Sequence, residues 1–101
     1  MLEIACIDHI VLRTSKPDAM LAFYCDVLGC TVERELPPAT GLIQLRAGSA
    51  LIDLVPVDSE LGRSGGGAPT QTENKLDHFC LQLKSVSEND IREHLSGHGY
   101  L

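Results

Sequence analysis

Residues 7–12, IDHIVL, can be laid over residues 76–81, LDHFCL, at an offset of 69, with Asp, His and Leu identical and an apolar residue at every other position. Each copy runs into a turn and then a segment of helical period, so the chain begins the same βα unit twice. A chain of 101 residues has room for one domain. Both units must therefore share a single core. The fold class expected is α+β: a βαβββ module over residues 1–57, a linker over 58–75, and an incomplete second βα unit over 76–101.

The segments between the two copies fill in the first module. Residues 4–14, IACIDHIVLRT, are dense in β-branched and apolar types and suit a largely buried strand. Ser15, Pro17 and Asp18 carry the marks of a helix start, with Ser15 as the cap. Met20, Phe23, Tyr24, Val27 and Leu28 then recur at three and four until Gly29 stops them. Three strands follow at 30–36, 42–47 and 50–57, the last two joined at Gly48-Ser49, where a glycine-led pair between alternating runs signals a hairpin. Residues 58–75, with three consecutive glycines and a proline, show no apolar period and suit a mobile linker or a loop near the active site. A strand is expected over 76–83. Ser87, with Asp90 three residues on, caps a second helix whose buried stripe is Ile91 and Leu95.

Three side chains are out of place in apolar strands. His9 and His78 hold equivalent positions in the repeat, each directly after an aspartate. A buried imidazole is costly unless its nitrogens are satisfied. Either histidine alone would more often be a core residue; a matched pair points to symmetric places on one cleft, where imidazole suits Zn, Ni, Mn or Fe. Asp53 lies between Ile52 and Leu54 in the run ALIDLVPV. It could face solvent at a sheet edge, pair with Arg46 across the hairpin, or bind the same divalent ion as His9 and His78. Two histidines and a carboxylate leave open positions for substrate oxygens. Asp8 and Asp77 should point away from the histidines if the strands are regular. Arg13 and Arg46 could reach an anionic substrate, although a solvated arginine is the safer reading, and Gln44 and Gln82 could hydrogen-bond in a cleft. His94 and His98 resemble a metal pair by spacing, and an exposed helix face explains them equally well. No catalytic acid, base or nucleophile is assigned.

Composition narrows the partners. Eight Lys+Arg against fourteen Asp+Glu give a net charge of −6, which offers little to nucleic acid or an anionic membrane. The apolar runs are too short to span a bilayer, and acids stand near the N-terminus where a signal peptide carries bases, so a cytoplasmic protein is expected. Cys6, Cys25, Cys30 and Cys80 include no C-x-x-C pair; buried free thiols are expected for most.

The D-H-hydrophobic strand opening, the segment PDAMLAFYCDVLG with Phe23-Tyr24 and Leu28-Gly29, the strand LIDLVPV and the second opening LDHFCLQL together resemble the vicinal oxygen chelate superfamily. This is the glyoxalase, bleomycin resistance protein and extradiol dioxygenase group. The resemblance implies paired βαβββ modules forming a cup around a divalent metal ion. By position, His9 corresponds to the first-strand ligand and His78 to the fifth-strand ligand. Asp53 falls where glyoxalase-like members place a glutamate, one methylene longer. The family's last ligand is a glutamate on the eighth strand, and the resemblance implies a chain truncated before its last three strands. The activity implied is that of a metal-dependent lyase or isomerase acting on a small oxygen-rich carbonyl substrate. An extradiol-type dioxygenase and a non-catalytic antibiotic-binding protein are the alternatives. The half-built second module leaves strand edges and an apolar face, for which a homodimer is expected.

Overall fold

A computed structural model describes residues 1–71, 76 and 78–101. Its centre is a sheet of four strands: β1 (His9–Thr14), β2 (Thr31–Glu35), β3 (Ile43–Ala47) and β4 (Ala50–Pro56), in the spatial order β1-β4-β3-β2. β1 runs parallel to β4 with His9 opposite Leu51 and Val11 opposite Asp53, whereas β4–β3 and β3–β2 are antiparallel. The β3–β4 hairpin turns at Gly48-Ser49, with Ala47 paired to Ala50. Gly48 takes a φ of +61° at the first turn position, which a two-residue loop of this kind assigns to glycine.

Strand alternation sorts the side chains onto two faces. One face carries Ile10, Leu12, Ile43, Leu45, Ile52 and Leu54 into the core, where Leu45 and Leu54 are fully buried beside Tyr24. The helical segment that covers it starts as α1 (Pro17–Ala22) and widens into a π-helical turn over Phe23–Val27, closed by a bond of 3.1 Å from Leu28 N–H to the Phe23 carbonyl. Tyr24 and Val27 are the buried residues of that turn. Gly29, at φ +78°, ends it. The other face presents His9, Val11, Gln44, Leu51 and Asp53.

Several expectations are corrected. The first strand begins at His9, and residues 1–8 are exposed without regular structure, so only the half of the apolar run that pairs with β4 is a strand. The α1 cap position is Lys16, with no side-chain cap; the hydroxyl that matters is Thr14 Oγ1, which accepts the Lys16 N–H at 2.9 Å. The segment read as a linker contains a helix, α2 (Glu60–Ser64), with Ser59 as its cap. Packing overrode composition there: Glu60 and Leu61 N–H donate to the Ala39 and Thr40 carbonyls, and Arg13 reaches the Gly62, Gly66 and Gly67 carbonyls from β1. None of the described residues within 76–83 forms a strand. β1 owes its conformation to the ladder with β4, whereas residues 84–101 supply a turn and a helix and no strand for the second copy to pair with. Phe79 nevertheless packs against the core. Cys6 and Cys80, lying outside the strands, are exposed, and Cys25 and Cys30 are half-buried; all four thiols are free.

The second helix forms where its signals stand. In α3 (Glu88–Gly97), Ser87 Oγ accepts the Asp90 N–H at 3.1 Å, and Ile91 and Leu95 form the half-buried stripe. At its end Tyr100 N–H returns to the Leu95 carbonyl and Gly99 N–H to that of Ser96, a Schellman closure that uses Gly99 at φ +84°. Tyr100 then sets its ring edge-on to Phe23, with centroids 4.8 Å apart. Among the described residues, no helix is long and apolar enough to cross a membrane.

Candidate metal centre on the open sheet face

The parallel pairing of β1 with β4 brings His9 and Asp53 together. Residues two apart on a strand share a face, and the register puts Asp53 opposite Val11, so the carboxylate lies one step diagonally from His9. His9 Nε2 and Asp53 Oδ2 are 4.0 Å apart, beyond hydrogen-bonding range. Asp53 is only 6% exposed, and its Oδ1 is buried with no hydrogen-bond partner among the described residues. An unsatisfied carboxylate oxygen in that position is costly. Arg46, the partner considered in the sequence, is engaged elsewhere: it stands opposite Leu51 and pairs with Glu33 at 3.1 Å. Gln44 is the residue opposite Asp53 in the register and shares its face.

The other imidazole nitrogen is already committed. His9 Nδ1 donates to Asp8 Oδ2 at 2.8 Å. A carboxylate can only accept, so this bond fixes the proton on Nδ1 and turns Nε2 toward Asp53. The Asp8 hydrogen bond and then the Asp53 charge raise the His9 pKa above the ordinary value of 6.5, against a smaller desolvation effect. Asp8 therefore does not point away from the histidine. It precedes the first residue of β1 and escapes strand alternation, while its carbonyl anchors the Leu51 N–H at 2.8 Å. The repeated Asp-His pair was the signal for this orienting carboxylate; Asp77, its counterpart in the second copy, lies outside the described residues.

His78 is exposed, in a segment without regular structure. Among the described residues, no group of three or more His, Cys, Asp or Glu side chains is arranged to hold a metal ion. The geometry thus assembles two of the three expected ligands. Their fit to an ion is one of chemical type: an imidazole nitrogen and a carboxylate share one sheet face 4.0 Å apart, and both donors suit a borderline divalent ion. The second imidazole nitrogen bonded to a carboxylate is the arrangement that orients metal-binding histidines.

The sequence profile of the glyoxalase/bleomycin resistance protein/dioxygenase superfamily matches residues 6–100. The chain belongs to this superfamily. Solved structures agree on the fold. A lactoylglutathione lyase from Agrobacterium tumefaciens is similar with a TM-score of 0.66 and 21% identity, over 94% of this chain and 71% of that one. An integron cassette protein from the mobile metagenome of V. cholerae is similar with a TM-score of 0.60 and 19% identity, over 98% and 71% of the two chains. At such identities the likeness concerns the fold. Among curated proteins, none matches this chain significantly. Within the superfamily frame, the mixed sheet with its helical cover is the glyoxalase-like arrangement expected of the first module.

Proposed function

We propose that the protein is a glyoxalase-like, metal-dependent lyase or isomerase acting on a small oxygen-rich carbonyl compound, with His9 and Asp53 as metal ligands and His78 as the third. The observation that carries this reading is the buried, unpartnered Oδ1 of Asp53 next to a histidine whose other nitrogen is held by Asp8. A divalent ion (Zn, Ni, Mn or Fe) would act there as a Lewis acid on substrate oxygens, making a proton beside the carbonyl easier to remove. His9, locked by Asp8, presents a single nitrogen to the site. Asp53 balances positive charge at the base of the open face. Gln44 sits where its amide can hydrogen-bond a substrate oxygen beside Asp53. His78 is the third ligand of this reading, and a homodimer is the assembly proposed to cover the open face.

The test is calorimetric titration of Zn2+, Ni2+, Mn2+ and Fe2+ into the chain and into His9→Ala, Asp53→Asn and His78→Ala variants. It is followed by NMR of deuterium incorporation beside the carbonyl in a panel of 2-hydroxycarbonyl compounds that includes lactoylglutathione. Each variant should lose roughly tenfold or more in affinity at one common site, and exchange should need the ion. Binding that ignores all three substitutions would refute the metal reading and favour a metal-free small-molecule binder. Ring cleavage of a catechol in the Fe2+ form, without exchange on the carbonyl panel, would favour the dioxygenase alternative.

A further inference from the structure

We propose that His94 and His98 form a second metal site, separate from the open sheet face, at the C-terminal turn of α3, and that it takes a single borderline transition-metal ion such as Zn2+. Spacing alone allows this, since residues four apart share a helix face. Three structural observations turn the spacing into a site. The two rings lie side by side, with centroids 4.8 Å apart at 57° to one another. His94 Nε2 lies 2.6 Å from the Val27 carbonyl oxygen. A carbonyl only accepts, so Nε2 must carry the proton and the lone pair is left on Nδ1. An imidazole with one N–H on a backbone carbonyl and the other nitrogen bare is the form in which protein histidines bind metals. Finally, His98 is the C-cap residue of α3, where the helix dipole places partial negative charge and favours a cation.

The consequence is structural as well as chemical. The His94–Val27 bond ties α3 to the π-helical turn that covers the core, 67 residues away in sequence. An ion held by Nδ1 of His94 and by His98 keeps Nε2 protonated and the bond in place, so it would fasten the second βα unit onto the first. Imidazole donors select Zn2+, Ni2+ or Cu2+ over Mg2+ or Ca2+.

The experiment starts from a His9→Ala/Asp53→Asn chain, which lacks the ligands on the sheet face, and titrates it with ZnCl2 by calorimetry and by amide NMR. One Zn2+ should still bind, with shifts confined to residues 94–100 and the neighbourhood of Val27, and the melting temperature should rise with Zn2+. Adding His98→Ala should weaken that binding by roughly tenfold or more, since losing a direct ligand costs at least what losing an orienting partner does. Helical circular dichroism of the His98→Ala chain, whose changed side chain is exposed, checks that the fold is kept. Undiminished Zn2+ affinity after His98→Ala, or no Zn2+ binding in the starting variant, overturns the proposal. Neither result bears on the His9–Asp53 site, which is read in the chain that retains it.

Discussion

His9 shows how one residue can be constrained from both ends. Asp8 takes its Nδ1 proton at 2.8 Å while Asp53 faces Nε2 at 4.0 Å. Because the folded-state pKa is raised above 6.5, the proton on His9 is bound more tightly in the folded chain than in the unfolded one. That contribution to stability is fully present below pH 6.5 and is lost as pH rises through the raised value. NMR titration of the His9 ring should give a pKa above 6.5, and Asp8→Asn should bring it down. The stability difference between the two chains should be largest below pH 6.5 and shrink above it. The same proton competes with a metal ion for Nε2, so loading of the sheet-face site should improve as pH rises through that range. A His9 pKa unmoved by Asp8→Asn would remove the orienting role assigned to Asp8.

At the scale of elements, α2 is held by close approach and by one arginine. A Cβ at Gly62 would run into the Pro56 carbonyl and the Val57 backbone, and one at Gly65 into the Arg13 side chain. Arg13 donates to the Gly62 carbonyl at 2.9 Å, the Gly66 carbonyl at 2.6 Å and the Gly67 carbonyl at 3.0 Å. Gly62→Ala should therefore cost about 1–3 kcal/mol in chemical denaturation, as overpacking does. Arg13→Lys keeps the charge but loses the planar fork; it should cost roughly 1.5 kcal/mol and speed tryptic cleavage after Arg63. Equal cleavage rates in the two chains would mean that the segment was not pinned by Arg13. In the sequence the same arginine reads as solvated or as an anion contact, yet three backbone carbonyls occupy its guanidinium.

The whole molecule exposes more surface than its mass warrants. Its accessible area is 7732 Å2, against about 5,600 Å2 for a compact monomer of this size. Its radius of gyration is 15.2 Å, against roughly 13 Å. The excess includes Ile4, Ile7, Val11, Leu81 and Leu83, all apolar and exposed. β1 and β2 are edge strands, and β1 carries His9. An uncovered apolar surface beside an open strand edge is where a second copy would gain most. Sedimentation at micromolar concentration should show a dimer that persists in high salt, because burial of apolar area is not screened as charge pairs are. A well-folded species sedimenting at 10.9 kDa throughout that range would exclude it.

Much of the first module was legible in the sequence because its signals are local. Period-two alternation marks β2, β3 and β4, Gly48-Ser49 marks the hairpin, and the Ser87–Asp90 cap marks α3. The anomalous polar residues, His9 and Asp53, were legible for the same reason: a costly side chain in an apolar run is visible without knowing the fold. What the sequence could not carry was pairing. The parallel register of β1 on β4 decides that His9 meets Asp53, that Asp8 lies outside the alternation, and that Arg46 goes to Glu33. Pairing likewise decides that His9–Thr14 form a strand while the described residues around His78 do not. A strand is made by its neighbours' hydrogen bonds more than by its own propensity. Two hexapeptides identical at three positions therefore differ in structure over their described residues, because among these β4 pairs only with the first.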